Sequence, residues 1–194
     1  MKTSRTLKRC FCLLLLLLTG FISAYFYYTY PDAGWLLNPG VFYTSATVLI
    51  FFLTHTSYTI RNLLIYYLLM VLTYMIVYIL TLYSSWFVLI CGHFTAAAGS
   101  LLSFMLVNKF IKPIQYNKWL IAGAGALSFL LTVLQKIVFS FYTDKWPLEF
   151  IFKPANERSP FYAEVFIFWQ VLTGICLFTV LEKTRIRPFK QSPS

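Results

Sequence analysis

The run Leu63-Leu64-Ile65-Tyr66-Tyr67-Leu68-Leu69-Met70-Val71-Leu72-Thr73-Tyr74-Met75-Ile76-Val77-Tyr78-Ile79-Leu80-Thr81-Leu82-Tyr83 holds no charged residue and is preceded by Arg61-Asn62. A helix rises 1.5 Å per residue, so about 20 mainly apolar residues cross the roughly 30 Å hydrocarbon core of a bilayer. This run has that length. Comparable runs lie to either side, and the expected spans are about 10–30, 41–60, 63–83, 86–107, 119–142 and 161–181. The fold expected is all-α: a polytopic transmembrane helical bundle of about six spans, forming a single transmembrane domain over 1–194.

Composition points the same way. Of the residues, 59% are hydrophobic and only 11% charged, against about 25% charged in ordinary soluble domains. Phe occurs 20 times and Tyr 14 times, more apolar surface than a water-soluble fold of this size can hide. The net charge is +10. In a soluble protein that would suggest a nucleic-acid partner. Here the basic residues form short clusters between apolar runs, so no nucleic acid is expected. Membrane lipids are the expected surroundings, with a membrane-protein partner or homo-oligomer as a further candidate.

Lys and Arg also orient the chain. With the N-terminus inside, the inner segments hold Lys2, Arg5, Lys8, Arg9, Arg61, Lys109, Lys112, Lys118, Lys183, Arg185, Arg187 and Lys190, whereas the outer segments hold Lys145, Lys153 and Arg158. Such an excess marks the cytoplasmic side, giving both termini inside a cell membrane, plasma or bacterial inner. Tyr25, Tyr27, Tyr28 and Tyr30 crowd the outer end of the first span, and Trp35, Trp86 and Trp146 lie at outer boundaries, as aromatic belts require. The basic start and the stretch Leu13 to Leu18 also resemble a signal peptide. Cleavage after Ala24 would put Ile22 where a small residue is preferred, so a retained helix is expected.

Small residues indicate packing. Gly92, Ala96 and Ser100 recur every four residues in the fourth span, with Gly99 and Ser103 beside them, and the fifth opens Ala122-Gly123-Ala124-Gly125-Ala126. Lipid gives helices little hydrophobic reason to associate, so close approach at small residues matters more. The fourth and fifth spans are therefore expected to make the tightest contact, through Gly99 and Gly123.

Ionisable residues within membrane spans are costly and tend to face the protein interior or water. Three fall at similar depth toward the outside: His93, Lys136 and Glu164. They are the candidate binding residues of an outer polar cluster, with Lys136 and Glu164 as a pair; against this stands a plain reading in which Lys136 snorkels and Glu164 sits at a helix start. Gln170, near mid-membrane, is expected to hydrogen-bond between helices. The segment Trp146 to Pro154 reads as interfacial, resting on the outer leaflet.

Several chemistries are excluded. His55 and His93 lie at opposite ends of their spans and cannot share a metal or haem. Cys10, Cys12, Cys91 and Cys176 show no metal or disulfide spacing. Cys91 and His93 are two residues apart on a helix and point away from each other. No cofactor and no metal site is expected. The functional expectation is a small transport-type or ligand-binding membrane protein with an outward-facing polar pocket. The alternatives are a non-catalytic membrane partner or assembly factor, and a membrane enzyme on a lipid-like substrate with His93 as base.

Overall fold

The computed structural model describes residues 2–29, 38–83, 88–143 and 160–186, with side chains for 6–26, 40–80, 92–135, 137–138 and 167–184. The described elements are helical: α1 Lys2–Thr29, α2 Asn38–Leu53, α3 Ile60–Tyr83, α4 Val88–Leu106 running into a π-helical turn Val107–Ile111, α5 Lys118–Thr143 and α6 Pro160–Ile186. Five helices are long and apolar enough to cross a membrane, within Thr6–Phe26, Ile60–Leu80, Gly92–Ile111, Lys118–Gln135 and Ile167–Thr184; the apolar stretch Gly40–Leu53 of α2 is shorter.

Consecutive helices are neighbours, and α6 returns to pack on α1, so the bundle closes into a ring; α2 and α4 also reach α6 across it. Neighbours run antiparallel. Arg9 on α1 pairs with Glu182 on α6, and Lys8 reaches Leu53 at the end of α2. One end of the bundle thus gathers the N-terminus, the start of α3, the π turn and the C-terminal end of α6. This basic end carries Lys8, Arg9, Arg61, Lys109, Lys112, Lys118 and Lys183. The other is the far end.

The long apolar run quoted at the outset explains how one helix can be hydrophobic all round and still know its inside. On α3 the exposed residues are Leu64, Leu68, Leu72, Ile76 and Leu80, whereas Tyr66, Met70, Tyr74 and Tyr78 are buried. Both stripes recur every four residues, the spacing that keeps side chains on one helix face. The outer stripe is purely aliphatic and suits lipid. The inner stripe carries hydroxyls, which in hydrocarbon surroundings must find partners within the protein. Tyr66 does so on α2, with Thr47 at 2.9 Å, and the adjacent Tyr67 meets Ser45 at 3.1 Å. Buried Ser and Thr hydroxyls commonly bond a carbonyl one turn back, as in Ser23 to Thr19, Thr44 to Gly40 and Ser103 to Gly99.

α2 ends at Leu53, short of the expected Ile60. The His55 amide donates to the Phe52 carbonyl at 3.0 Å and the Thr56 amide to the Phe51 carbonyl at 2.9 Å. These paired bonds, with a left-handed residue between helix and exit, make a Schellman stop. His55 is that residue, at φ 51, where glycine is usual. Lys8 donates to the carbonyl of Leu53 at 3.3 Å, placing positive charge at a helix C-terminus where the dipole favours it. Thr59 then opens α3 by accepting from the Asn62 amide at 3.3 Å. Asn117 opens α5 likewise, accepting from Trp119 at 3.0 Å and Leu120 at 3.4 Å. Both are N-caps.

The α4–α5 contact uses the small residues, with one change of phase. Gly92 faces Phe129, and Gly125 faces the Ala96 carbonyl and Ser100 so closely that a side chain at 125 would overlap them. Gly123 has open space on its Cβ side. Gly99 faces Val77 on α3 and Trp169 on α6. The glycines proposed from sequence for this contact are thus replaced by Gly92 and Gly125. Residues 122–126 are all small, so composition alone leaves the rotation of α5 open.

Candidate functional site

Three side chains were proposed as an outer polar cluster. His93 is half-buried on α4 and meets the carbonyl of Ala126 on α5 through Nδ1 at 3.0 Å, with its ring edge-on to Phe129 at 4.8 Å between centroids. A carbonyl only accepts, so Nδ1 carries the hydrogen and, in the neutral ring, Nε2 holds the lone pair. His93 thus ties α4 to α5. Lys136 and Glu164 lie in α5 and α6, which pack on each other; their side chains lie outside the described residues, as does the segment Trp146 to Pro154. By helical rise all three positions fall within about 11 Å of the far end.

A second polar group, at the centre of the ring, was visible in the sequence only through Gln170. That side chain is fully buried on α6 and donates through Nε2 to Ser23 Oγ on α1 at 3.3 Å. Next to it, Trp169 donates from Nε1 to the Ala96 carbonyl on α4 at 3.0 Å. One turn on, Thr173 meets Ser100 at 2.9 Å. The Trp169 ring stands between two tyrosines. Tyr74 is edge-on at 5.6 Å and 76°, and Tyr43, from α2, is tilted at 5.0 Å and 57°. Tyr43, Gln170, Ser23, Ser100 and Thr173 are each fully buried.

Helix geometry assembles this group. Trp169 and Gln170 are adjacent on α6 and point in different directions, one to α4, the other to α1. Gly99 leaves room for the Trp169 ring, and Gly40 lets the Tyr74 ring lie against the α2 backbone. Five of the six helices, all but α5, therefore contribute. Ser23, Tyr43, Tyr74, Trp169 and Gln170 lie between about 8 and 15 Å of helical rise from the far end. Among the described side chains none of the central group is charged.

The Tyr43 hydroxyl departs from the pattern of satisfied hydrogen bonds. It is buried and has no hydrogen-bond partner among the described residues. Such an atom typically costs about 1–3 kcal/mol, and buried polar groups are nearly always paired. The aromatic side chains and the donors and acceptors beside them form an uncharged polar group. They offer no acid–base pair and no activated nucleophile. Among the described residues there is also no group of three His, Cys, Asp or Glu that could hold a metal ion.

No protein-family model matches the chain, and neither a curated protein nor a solved structure matches it. The functional reading therefore rests on the residues themselves.

Proposed function

We propose that this protein is a small transport-type or ligand-binding membrane protein, with six spans, both termini in the cytoplasm and a binding centre in the outer half of the bundle. The Tyr43 hydroxyl carries this reading: it is fully buried beside uncharged polar groups and has no partner among the described residues. Polar groups within a membrane bundle mark substrate paths, and sites near mid-membrane are a recurring feature of transporters. Support for the orientation is the collection of basic residues at the end opposite this centre.

Tyr43, Tyr74, Trp169 and Gln170 would contact the bound molecule, Ser23 orienting Gln170. The absence of charge among these side chains favours a neutral or zwitterionic compound over an ion. His93, Lys136 and Glu164 lie at depths that overlap the outer part of this centre and would line the approach to it.

Purified protein should carry a small molecule detectable by native mass spectrometry and identifiable after extraction. Tyr43→Phe removes one hydroxyl and keeps the ring, so the fold should persist and the bound mass should be lost. If the wild type carries no adduct and no neutral aromatic compound shifts its melting temperature, the binding reading fails and the cluster is packing.

A further inference from the structure

Between α3 and α4, at the basic end, runs an apolar groove of about 540 Å³ lined by Leu69, Thr73, Leu102, Met105, Asn108 and Lys109 among others. Its size lies within the range of small-molecule sites, about 300–1,000 Å³. Leu102 and Met105 are exposed along it. From Leu102 to Lys109 is about 10 Å of helical rise, most of one leaflet of a roughly 30 Å hydrocarbon core.

The mouth of the groove is built differently from its walls. There α4 widens into the π turn Val107–Ile111, closed by the Lys112 amide donating to the Val107 carbonyl at 3.0 Å. Such turns recur at functional sites. This one brings the consecutive residues Asn108, Lys109 and Phe110 to the groove. Asn108 is held in place because its Oδ1 accepts from the Ile114 amide at 2.8 Å, which leaves its amide N–H groups as donors. Lys109 Nζ sits 5.4 Å from the centre of the Phe110 ring. Among the described residues the ion pair is Arg9–Glu182, so Lys109 has no carboxylate partner there. The mouth thus presents two donors, one of them cationic, at the end of an apolar track.

A second groove at the basic end supplies a comparison. It is lined by Leu7, Lys8, Cys10, Phe11, Leu14 and Leu53 and has about 520 Å³. Its cation is already engaged, by the Leu53 carbonyl at 3.3 Å and His55 Nε2 at 3.4 Å.

We propose that the α3–α4 groove is a binding site for one anionic glycerophospholipid. An acyl chain lies along Leu69, Leu102 and Met105, and the phosphate accepts from Lys109 Nζ and the Asn108 amide. This site is separate from the polar centre and does not depend on its ligand.

The test is native mass spectrometry of the full chain in detergent, titrated with phosphatidylglycerol or with phosphatidylcholine of the same acyl chains. Phosphatidylglycerol should bind about fivefold more tightly, the equivalent of the ~1 kcal/mol that one basic residue supplies at an anionic lipid surface. Lys109→Gln, at an exposed position, should abolish that preference, and Leu102→Trp should fill the groove and weaken both lipids. Lys8→Gln should leave the preference intact, and glycerol phosphate should not compete. Equal binding of the two lipids by the wild type, a preference that survives Lys109→Gln, or displacement by glycerol phosphate would each overturn the proposal.

Discussion

The α4–α5 and α1–α6 contacts are both antiparallel helix seams with glycines at the contact, and they differ in the polar ties that cross them. Along α4–α5 the backbones approach closely, because Gly92, Ala96, Ser100 and Gly125 remove bulk. His93 ties them together, through its hydrogen bond to the Ala126 carbonyl and its ring contact with Phe129. Along α1–α6 side chains reach across. Arg9 pairs with Glu182 at 2.8 Å, and Ser23 meets Gln170 at 3.3 Å. The first seam is specified by volume and leaves little room for change. The second adds hydrogen bonding and charge to close approach at Gly20 and Gly174, where a side chain would meet Ile167 and Leu16, and it borders the polar centre.

The largest effect is expected at Gly125. A leucine there would drive into the Ala96 carbonyl and Ser100, costing at least about 3 kcal/mol, the upper range for overpacking. Gly123→Leu, with open space on its Cβ side, should stay within about 0.5 kcal/mol of wild type, as ordinary surface changes do. Thermal unfolding in detergent distinguishes them, and equal losses at both positions would mean that α5 is rotated from the arrangement described.

A smaller effect is expected from the polar seam. Gln170→Leu leaves Ser23 without its cross-helix partner and should cost about 1 kcal/mol, in keeping with interhelical hydrogen bonds in membranes. His93→Phe, which preserves the ring against Phe129, should cost a similar ~1 kcal/mol for the bond to Ala126. If Gln170→Leu is neutral while His93→Phe is strongly destabilising, the contrast between the two seams is reversed.

Smaller still should be the coupling of Arg9 with Glu182. The Arg9 side chain is 63% exposed and that of Glu182 14%, so solvent screens the pair from one side. A double-mutant cycle with Arg9→Met and Glu182→Gln should give below about 1 kcal/mol, falling as salt is raised. A coupling of several kcal/mol, insensitive to salt, would show that this end of the seam is dry.

The two seams also differ in how far sequence discloses them. Four-residue spacing of Gly92, Ala96 and Ser100 is a local signal, and it identified α4 and α5 as partners. Rotation of α5 stayed open because Ala122 to Ala126 offer small residues on every face. The α1–α6 seam depends on residues such as Ser23 and Gln170, 147 positions apart, and a single sequence holds no signal for such a pairing. Gln170 drew attention as a lone amide in an apolar run, without revealing its partner. Tyr43 and Tyr74 went unnoticed among 14 tyrosines, most readily taken as interface residues. The inward stripe of Tyr66, Met70, Tyr74 and Tyr78 could have been found from its four-residue period, set against the purely aliphatic one beside it. The early end of α2 also has a signal, the polar run Thr54-His55-Thr56-Ser57, which is masked by flanking residues apolar enough to read as one span.

Whether the centre of the ring binds a molecule or only packs is decided most directly by thermal unfolding of wild type and Tyr43→Phe, each stripped of bound compounds and each with the extracted compound restored. The stripped Tyr43→Phe protein should be more stable than stripped wild type, because the variant buries no unpartnered hydroxyl, a gain of about 1–3 kcal/mol. Restoring the compound should raise the melting temperature of wild type and leave the variant unmoved. A variant less stable than wild type, or one stabilised equally by the compound, would contradict a binding role for Tyr43.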